Sequence, residues 1–228
     1  MRGETAGHLG RVLRAEPGQV YELSDGERIW LARIEAVALP KRGESRIDFA
    51  LIEPIAADEP TLALTLLISL IKFDRFEWCL EKATELNVAE IVPLAATRSD
   101  KPLLDAAAKR RTRWEKILVE SAQQSRRLRP PLLRNPVCPA EAFAQATAPW
   151  KVLLSERSEA PALKSAFGEN PPPIGTVALA IGPEGGWTDD ELAQARSAGF
   201  IEASLGKTIL RTETAVIAAA SIVRFALS

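Results

Sequence analysis

The chain has 228 residues, 46% hydrophobic and 26% charged, the make-up of a globular protein with a real core in one large or two modest domains. A single histidine (His8) and two cysteines without CxxC spacing (Cys79 and Cys138) exclude a His-based catalytic triad, a His-rich metal site and a disulfide framework, and fit a reducing cytoplasm. The first residues, MRGETAGHLGRVLR, carry no apolar signal region, and no apolar run is long enough to cross a membrane.

The first third shows short β-rich runs at Gln19–Leu23, Arg28–Ala38 and Arg46–Ile52. Turn signals at Pro17-Gly18, Asp25-Gly26 and Arg42-Gly43 separate them. That spacing predicts a small barrel. The acidic, proline-flanked stretch Glu53–Pro60 reads as a linker, so the domain boundary is placed near Thr61, giving domains of residues 1–60 and 61–228.

From Thr61 strands and helices alternate. Strands are expected at Leu62–Ile71, Ile91–Leu94, Lys151–Leu154, Val177–Ile181 and Ile201–Leu205. Helices are expected at Phe73–Leu86, Leu103–Gln124, near Ala162–Phe167, and at Glu213–Leu227. Thr188 and Glu191 form a capping-box signature for a further helix that stops at Gly199. Pro171–Pro173 reads as a loop. The fold class is therefore α/β, a mostly parallel sheet covered on both faces.

Charge is unevenly spread. Between Lys109 and Arg134 nine basic residues face only Glu115 and Glu120. A solvated helix face and a phosphate-contacting stripe both account for this window.

Two turns near the C-terminus carry the functional signal: IGPEGGWTDDEL (Ile181–Leu192) and LGKTILRTETA (Leu205–Ala215). Each follows a buried strand and opens into a helix, the place where open α/β sheets build ligand sites. GKT at Gly206–Thr208 is not a phosphate loop, because Ile201 stands where that motif needs glycine. The dinucleotide fingerprint GxGxxG is absent. Gly182, Gly185 and Gly186 would let backbone approach a flat ligand, although a tight structural turn explains them equally well. Thr212 and Glu213 suit a helix start, whereas Arg211 there opposes the helix dipole and points to an anionic or electron-rich partner.

In this order and spacing the two turns resemble the cofactor-binding turns of the knotted SPOUT methyltransferases, in particular the RsmE type, which methylates N3 of a uracil in 16S ribosomal RNA. HLGRVLR (His8–Arg14) is similar to that family's N-terminal RNA-binding, PUA-like barrel. KFDRFEWCLEKATELNV (Lys72–Val88), with IVPL and TRSD (Ile91–Asp100), is similar to its first α/β unit. RWEKILVESAQQSRRLRPP (Arg113–Pro131) is similar to its long helix and basic loop. The strand that opens the barrel is missing or shortened, Arg126 stands where glycine is common, and Trp187 replaces phenylalanine.

The resemblance implies a C-terminal trefoil knot, a homodimer and S-adenosylmethionine as cofactor, with no metal. The cofactor would be held by Leu154, Ser155, Glu156, Ile181, Gly182, Pro183, Glu184, Gly185, Gly186, Leu205, Gly206, Ile209, Leu210, Thr214 and Ala215. Arg211 would stabilise charge on the base, and Glu213 or Glu184 would relay the proton. Arg11, Arg14, Arg126, Arg127 and Arg129 would contact RNA of the small ribosomal subunit, and His8 belongs to the barrel's packing or RNA surface. Three alternatives remain open at this point: a SPOUT enzyme acting on another base or a ribose 2′-hydroxyl, a non-catalytic RNA-binding module, and a metabolic enzyme with a nucleotide cofactor.

Overall fold

The computed structural model describes residues 1–56, 62–167 and 175–227, and the Pro171–Pro173 loop and the end of the linker lie outside them. The chain divides into two compact units, Met1–Glu59 and Pro60–Ser228.

The first unit opens with helix α1 (Gly3–Arg11), followed by strands β1 (Val20–Ser24), β2 (Ile29–Ala38) and β3 (Arg46–Ile55). The strands form an antiparallel meander in the order β1-β2-β3. Among the described residues this unit is thus a helix on a three-stranded sheet, and β3 takes in Glu53–Ile55, which the sequence reading gave to the linker. Ala6 and Leu9 of α1 pack with Ala15, Ile34 and Ile47 in a small core. Helix α1 has no sequence signature because GETAGHLGR holds three glycines and lacks a side-chain cap. The chain start lies along β3 through an isolated antiparallel bridge, Arg2 to Arg46. The Met1 ammonium donates to Ile47 O (2.9 Å).

The second unit contains β4 (Leu62–Ser69), α2 (Phe73–Glu85), β5 (Glu90–Leu94), α3 (Lys101–Gln124), β6 (Leu132–Leu133), α4 (Pro139–Gln145), β7 (Trp150–Leu154), a 3-10 turn (Leu163–Phe167), β8 (Gly175–Ile181), α5 (Asp189–Ser197), β9 (Ile201–Ala203) and α6 (Thr212–Leu227). Its six strands lie in the order β6-β5-β4-β8-β7-β9. Every pairing is parallel. Along β8, Val177, Leu179 and Ile181 join α2, α3 and α6 in one core, while Ala178 and Ala180 join Phe143 of α4 and Leu192 of α5 in the other. The period of two thus survives in a sheet buried on both faces, with the bulky residues turned toward the larger helical layer.

Several local rules are met. The capping box of α5 is present, with Thr188 Oγ1 accepting from Glu191 N and Glu191 Oε2 accepting from Thr188 N. Helices α2, α3 and α5 end with a left-handed residue, Asn87 (φ 56°), Arg126 (φ 55°) and Gly199 (φ 85°). In each the following amide reaches back five residues: Val88 to Ala83 O, Arg127 to Ala122 O and Phe200 to Ala195 O. Besides α1, two elements have no counterpart in the sequence reading, β6 and α4. Both lie in the stretch punctuated by Pro130, Pro131, Pro136 and Pro139, where β6 is only two residues long and α4 seven.

Candidate active site

Strands β7, β8 and β9 are neighbours with carboxyl ends level, since Leu154 pairs with both Ile181 and Ala203. The chain leaving those ends encloses a cavity of about 450 Å³, within the range of small-ligand sites. Its walls are residues 154–157, 181–187 and 204–210, closed by Arg98, Asp189, Leu192, Thr212 and Ala215. Of the cofactor-binding residues expected from sequence, all except Thr214 line it.

The walls are braced from within. Trp187 Nε1 donates to Leu154 O (2.8 Å), tying the β8 turn to the end of β7. Thr212 Oγ1 donates to Gly182 O (3.1 Å), tying the start of α6 to the same turn. Arg98 Nη1 donates to Gly185 O (2.8 Å) and Trp187 O (3.2 Å), and Glu191 Oε1 accepts from Thr97 N (2.9 Å). The glycines acquire a different reason from the one expected. A Cβ on Gly182 would stand 3.0 Å from Trp187 Cε2, and one on Gly185 would stand 3.1 Å from Arg98 Cβ. Both positions are glycine to admit the protein's own side chains; only Gly186 of the three (φ 70°) needs glycine for its backbone.

With the carbonyls of Leu154, Gly182, Pro183 and Gly185 already accepting, the open hydrogen-bonding capacity lies elsewhere. Among the described residues the amides of Leu205 and of residues 207 to 211 donate to nothing. A run of free amides beside an enclosed cavity is a ready hydrogen-bonding surface for a ligand.

The two catalytic candidates diverge. Arg211 is exposed, and its guanidinium has no partner among the described residues. Glu213 is buried at 7% exposure and pairs through Oε1 with Arg75 Nε (3.7 Å), while Oε2 is buried without a hydrogen bond. Arg75, from the first turn of α2, also pairs with Glu184. Neither Arg211, Glu213 nor Thr214 forms part of the cavity lining. Arg75, Arg98 and Trp187 are the residues that sequence reasoning missed as site builders. They stood inside quoted motifs, but nothing local marks a side chain whose partner lies 33 residues away, as for Trp187, or 87 and 109 away, as for Arg98 and Arg75.

The basic residues also sort themselves. In the α3 window Arg110 and Arg113 pair with Glu77, Arg111 with Glu115, Lys116 with Glu120, and Arg134 with Glu90, which favours the solvated, ion-paired face for most of it. Arg127 is turned inward: Nη1 donates to Thr84 O at the end of α2 (3.0 Å), and burial together with nearby Arg224 pulls its pKa down to about 10. That bond caps the α2 terminus. Arg11 donates to Pro40 O (3.0 Å) and Ser45 Oγ (3.4 Å), bracing the loop before β3. The guanidinium groups of Arg14 and Arg126 have no partner among the described residues, and Arg129 is exposed. No group of three His, Cys, Asp or Glu among the described residues could hold a metal, and none of the described helices is long and apolar enough to cross a membrane.

A parallel α/β sheet with a cavity across three strand ends, walled by turns with free amides, defines a cofactor-binding protein of the open-sheet class. The chain belongs to the RNA methyltransferase domain family, whose sequence model matches residues 58–224. Ribosomal RNA small subunit methyltransferase E of Synechocystis sp. is 33% identical over 212 residues, covering 91% of this chain and 66% of that protein, just under two thirds. The protein of the same name from Mesomycoplasma hyopneumoniae is 36% identical over 169 residues, 73% of this chain and 72% of that one. The crystal structure of ribosomal RNA small subunit methyltransferase E from Neisseria gonorrhoeae bound to S-adenosyl methionine superposes with a TM-score of 0.83 at 30% identity, over 99% of this chain and 91% of that one.

Proposed function

We propose that the protein is a cytoplasmic, S-adenosylmethionine-dependent methyltransferase that modifies N3 of a uridine in 16S ribosomal RNA. The observation that carries this reading is the cavity at the ends of β7, β8 and β9 with the open amides of Leu205 and residues 207 to 211. The residues present fit such a cofactor: Ile181, Leu205, Ile209 and Leu210 give apolar walls, and the free amides give donors to adenine nitrogens and ribose oxygens. When bound, S-adenosylmethionine supplies an electrophilic methyl group on a sulfonium.

This chain's own residues have two tasks. The uracil N3–H must lose its proton, and the resulting negative charge on the base must be held near the methyl group. Arg211, exposed just before α6 and without a partner among the described residues, stabilises that charge. Glu213 or Glu184 takes the proton, and fixed positioning lowers the rest of the barrier. Arg14, Arg126 and Arg129 hold RNA phosphates.

Two finer features of the family are proposed on local contacts. The trefoil knot is supported by Ser204, which donates to Pro161 O (2.7 Å) and accepts from Leu163 N (2.8 Å) beyond the loop after β7, before the chain returns to Gly182 through Thr212. A homodimer is supported by apolar exposure near the C-terminus, with Phe225 88% and Ile222 37% exposed on α6.

The test is transfer of labelled methyl from S-adenosylmethionine to small ribosomal subunits lacking the modification, followed by nucleoside mass analysis. Label in 3-methyluridine is the expected result. Label in another nucleoside keeps the cofactor and overturns the target. Arg211→Ala is expected to abolish turnover while sparing cofactor binding; near-normal turnover would remove Arg211 from the mechanism.

A further inference from the structure

Glu184 lies in the turn after β8 and Glu213 in the first turn of α6, yet they share one cation. The Arg75 guanidinium pairs with Glu184 through Nη1 and with Glu213 Oε1 through Nε at 3.7 Å. Burial is graded across the trio, with side-chain exposure of 47% for Glu184, 27% for Arg75 and 10% for Glu213. Glu184 belongs to the cavity wall, so the bridge starts at the cavity's edge and runs inward. The far oxygen, Glu213 Oε2, is buried without a hydrogen-bond partner among the described residues. A buried carboxylate oxygen left unshared is costly, and such oxygens are met at sites that wait for a donor. Cys79 lies close by, its thiol pushed up to about 12 by burial and then by the Glu213 charge.

Resting on the methyltransferase reading above, we propose that Arg75 is a positioning residue for methyl transfer: its fork locks the β8 turn to the start of α6 and holds Glu213, next to the cavity-lining Thr212, as the acceptor of the target base's N3 proton. The shape of the guanidinium matters. Its separate N–H groups engage two carboxylates from one rigid plane, which a lysine ammonium on a flexible stem does not reproduce. Without the cation two like charges would face each other across the walls, and the turns would part. The proton passes from uracil N3 to the carboxylate, giving a carboxylic acid; the N–H electron pair stays on nitrogen and becomes the N–CH₃ bond, while the sulfonium–methyl pair returns to sulfur.

The experiment compares wild type with Arg75→Met and Arg75→Lys in full-length protein. It reads melting temperature, S-adenosylmethionine affinity by calorimetry, kcat and KM on small-subunit RNA, and hydrogen exchange of the cofactor-free protein. Arg75→Met is expected to lower kcat about 100-fold, the scale of a reacting group misplaced by an ångström. KM and cofactor affinity should stay within about threefold, and exchange should rise in both 181–187 and 211–216. Arg75→Lys should recover part of kcat. In a Glu213→Gln background, Arg75→Met should cost almost nothing further.

A loss confined to cofactor affinity or melting temperature overturns the proposal, as does full additivity with Glu213→Gln. Should Arg75→Met fail to fold, Glu184→Gln cuts the exposed arm of the same bridge, and unchanged exchange in 211–216 then overturns it. The exchange readout stands apart from the methyltransferase reading: absent methyl transfer by wild type sinks that reading, whereas exchange that is not coupled between the two turns sinks this one.

Discussion

Gly182→Ala puts the cavity's internal bracing to a direct test. The added methyl would stand 3.0 Å from Trp187 Cε2, 3.1 Å from Nε1 and 3.4 Å from Cδ1, against an ordinary carbon contact of about 3.5–4.0 Å. The indole has little room to retreat, being 8% exposed, edge-on to Phe143 (centroids 5.9 Å apart) and anchored by the 2.8 Å bond to Leu154 O. Overpacking of this kind costs about 1–3 kcal/mol, and stretching a buried hydrogen bond adds about 1. We therefore expect a loss of about 2–4 kcal/mol, or about 4–16 °C in melting temperature for a domain of this size. Chemical denaturation gives the first number and calorimetric titration gives the cofactor affinity, which should fall at least tenfold because Leu154 and Trp187 both line the cavity. In a Trp187→Leu background, where the ring is gone, the same alanine should cost less than about 0.5 kcal/mol. Equal losses in both backgrounds would refute the reasoning, since the clash is with the indole alone.

Three further outcomes are expected. Arg126→Gly should stabilise the protein by about 0.5–1 kcal/mol, because φ 55° strains any residue with a Cβ, while lowering the salt dependence of RNA binding by about one ion; a destabilised variant in urea titration would contradict it. Thr188→Ala removes the hydroxyl arm of the α5 capping box, leaving the backbone N–H of residue 188 to donate to Glu191, and should cost about 1–2 kcal/mol by the same measurement, with a change under about 0.3 kcal/mol counting against it. Cys79 ionises with more difficulty folded than unfolded, so its contribution to stability is full below pH 9 and is lost as pH rises toward about 12. The stability difference between wild type and Cys79→Ala should therefore shrink between pH 8 and pH 10.5; a constant difference would show that the thiol is not held protonated.

What could be read from the chain follows the range of the interaction. The α5 box needs only Thr188 and Glu191, three residues apart, and the strand-to-helix turns announce themselves through Gly182–Gly186 and the threonines around Glu213. The fold class came from alternation of the same local kind. Helix α1 escaped because its glycines hide the period carried by Ala6 and Leu9, and α4 because prolines mask seven residues of helix. Arg75 and Arg98 were beyond reach for another reason. Their partners Glu184 and Gly185 lie 109 and 87 residues further on, and only a folded sheet brings those ends together. The same distance explains why Gly182 and Gly185 looked like openings for a ligand when they are openings for Trp187 and Arg98.

The placement of the cavity walls has a consequence for how the protein comes into being. A ribosome emits the chain at about 5–20 residues per second, and folding can begin at the N-terminal end. Strands β4 and β5 with helices α2 and α3 can pack early, but the cavity needs residues 204–210, and Thr212 of α6 to tie down Gly182, all of them made more than 75 residues after α3 ends. A chain cut short before α6 would carry most of the core and none of the finished site. Occupancy of the cavity therefore requires that α6 has been made, and the stabilisation that a bound ligand confers goes only to chains that include it.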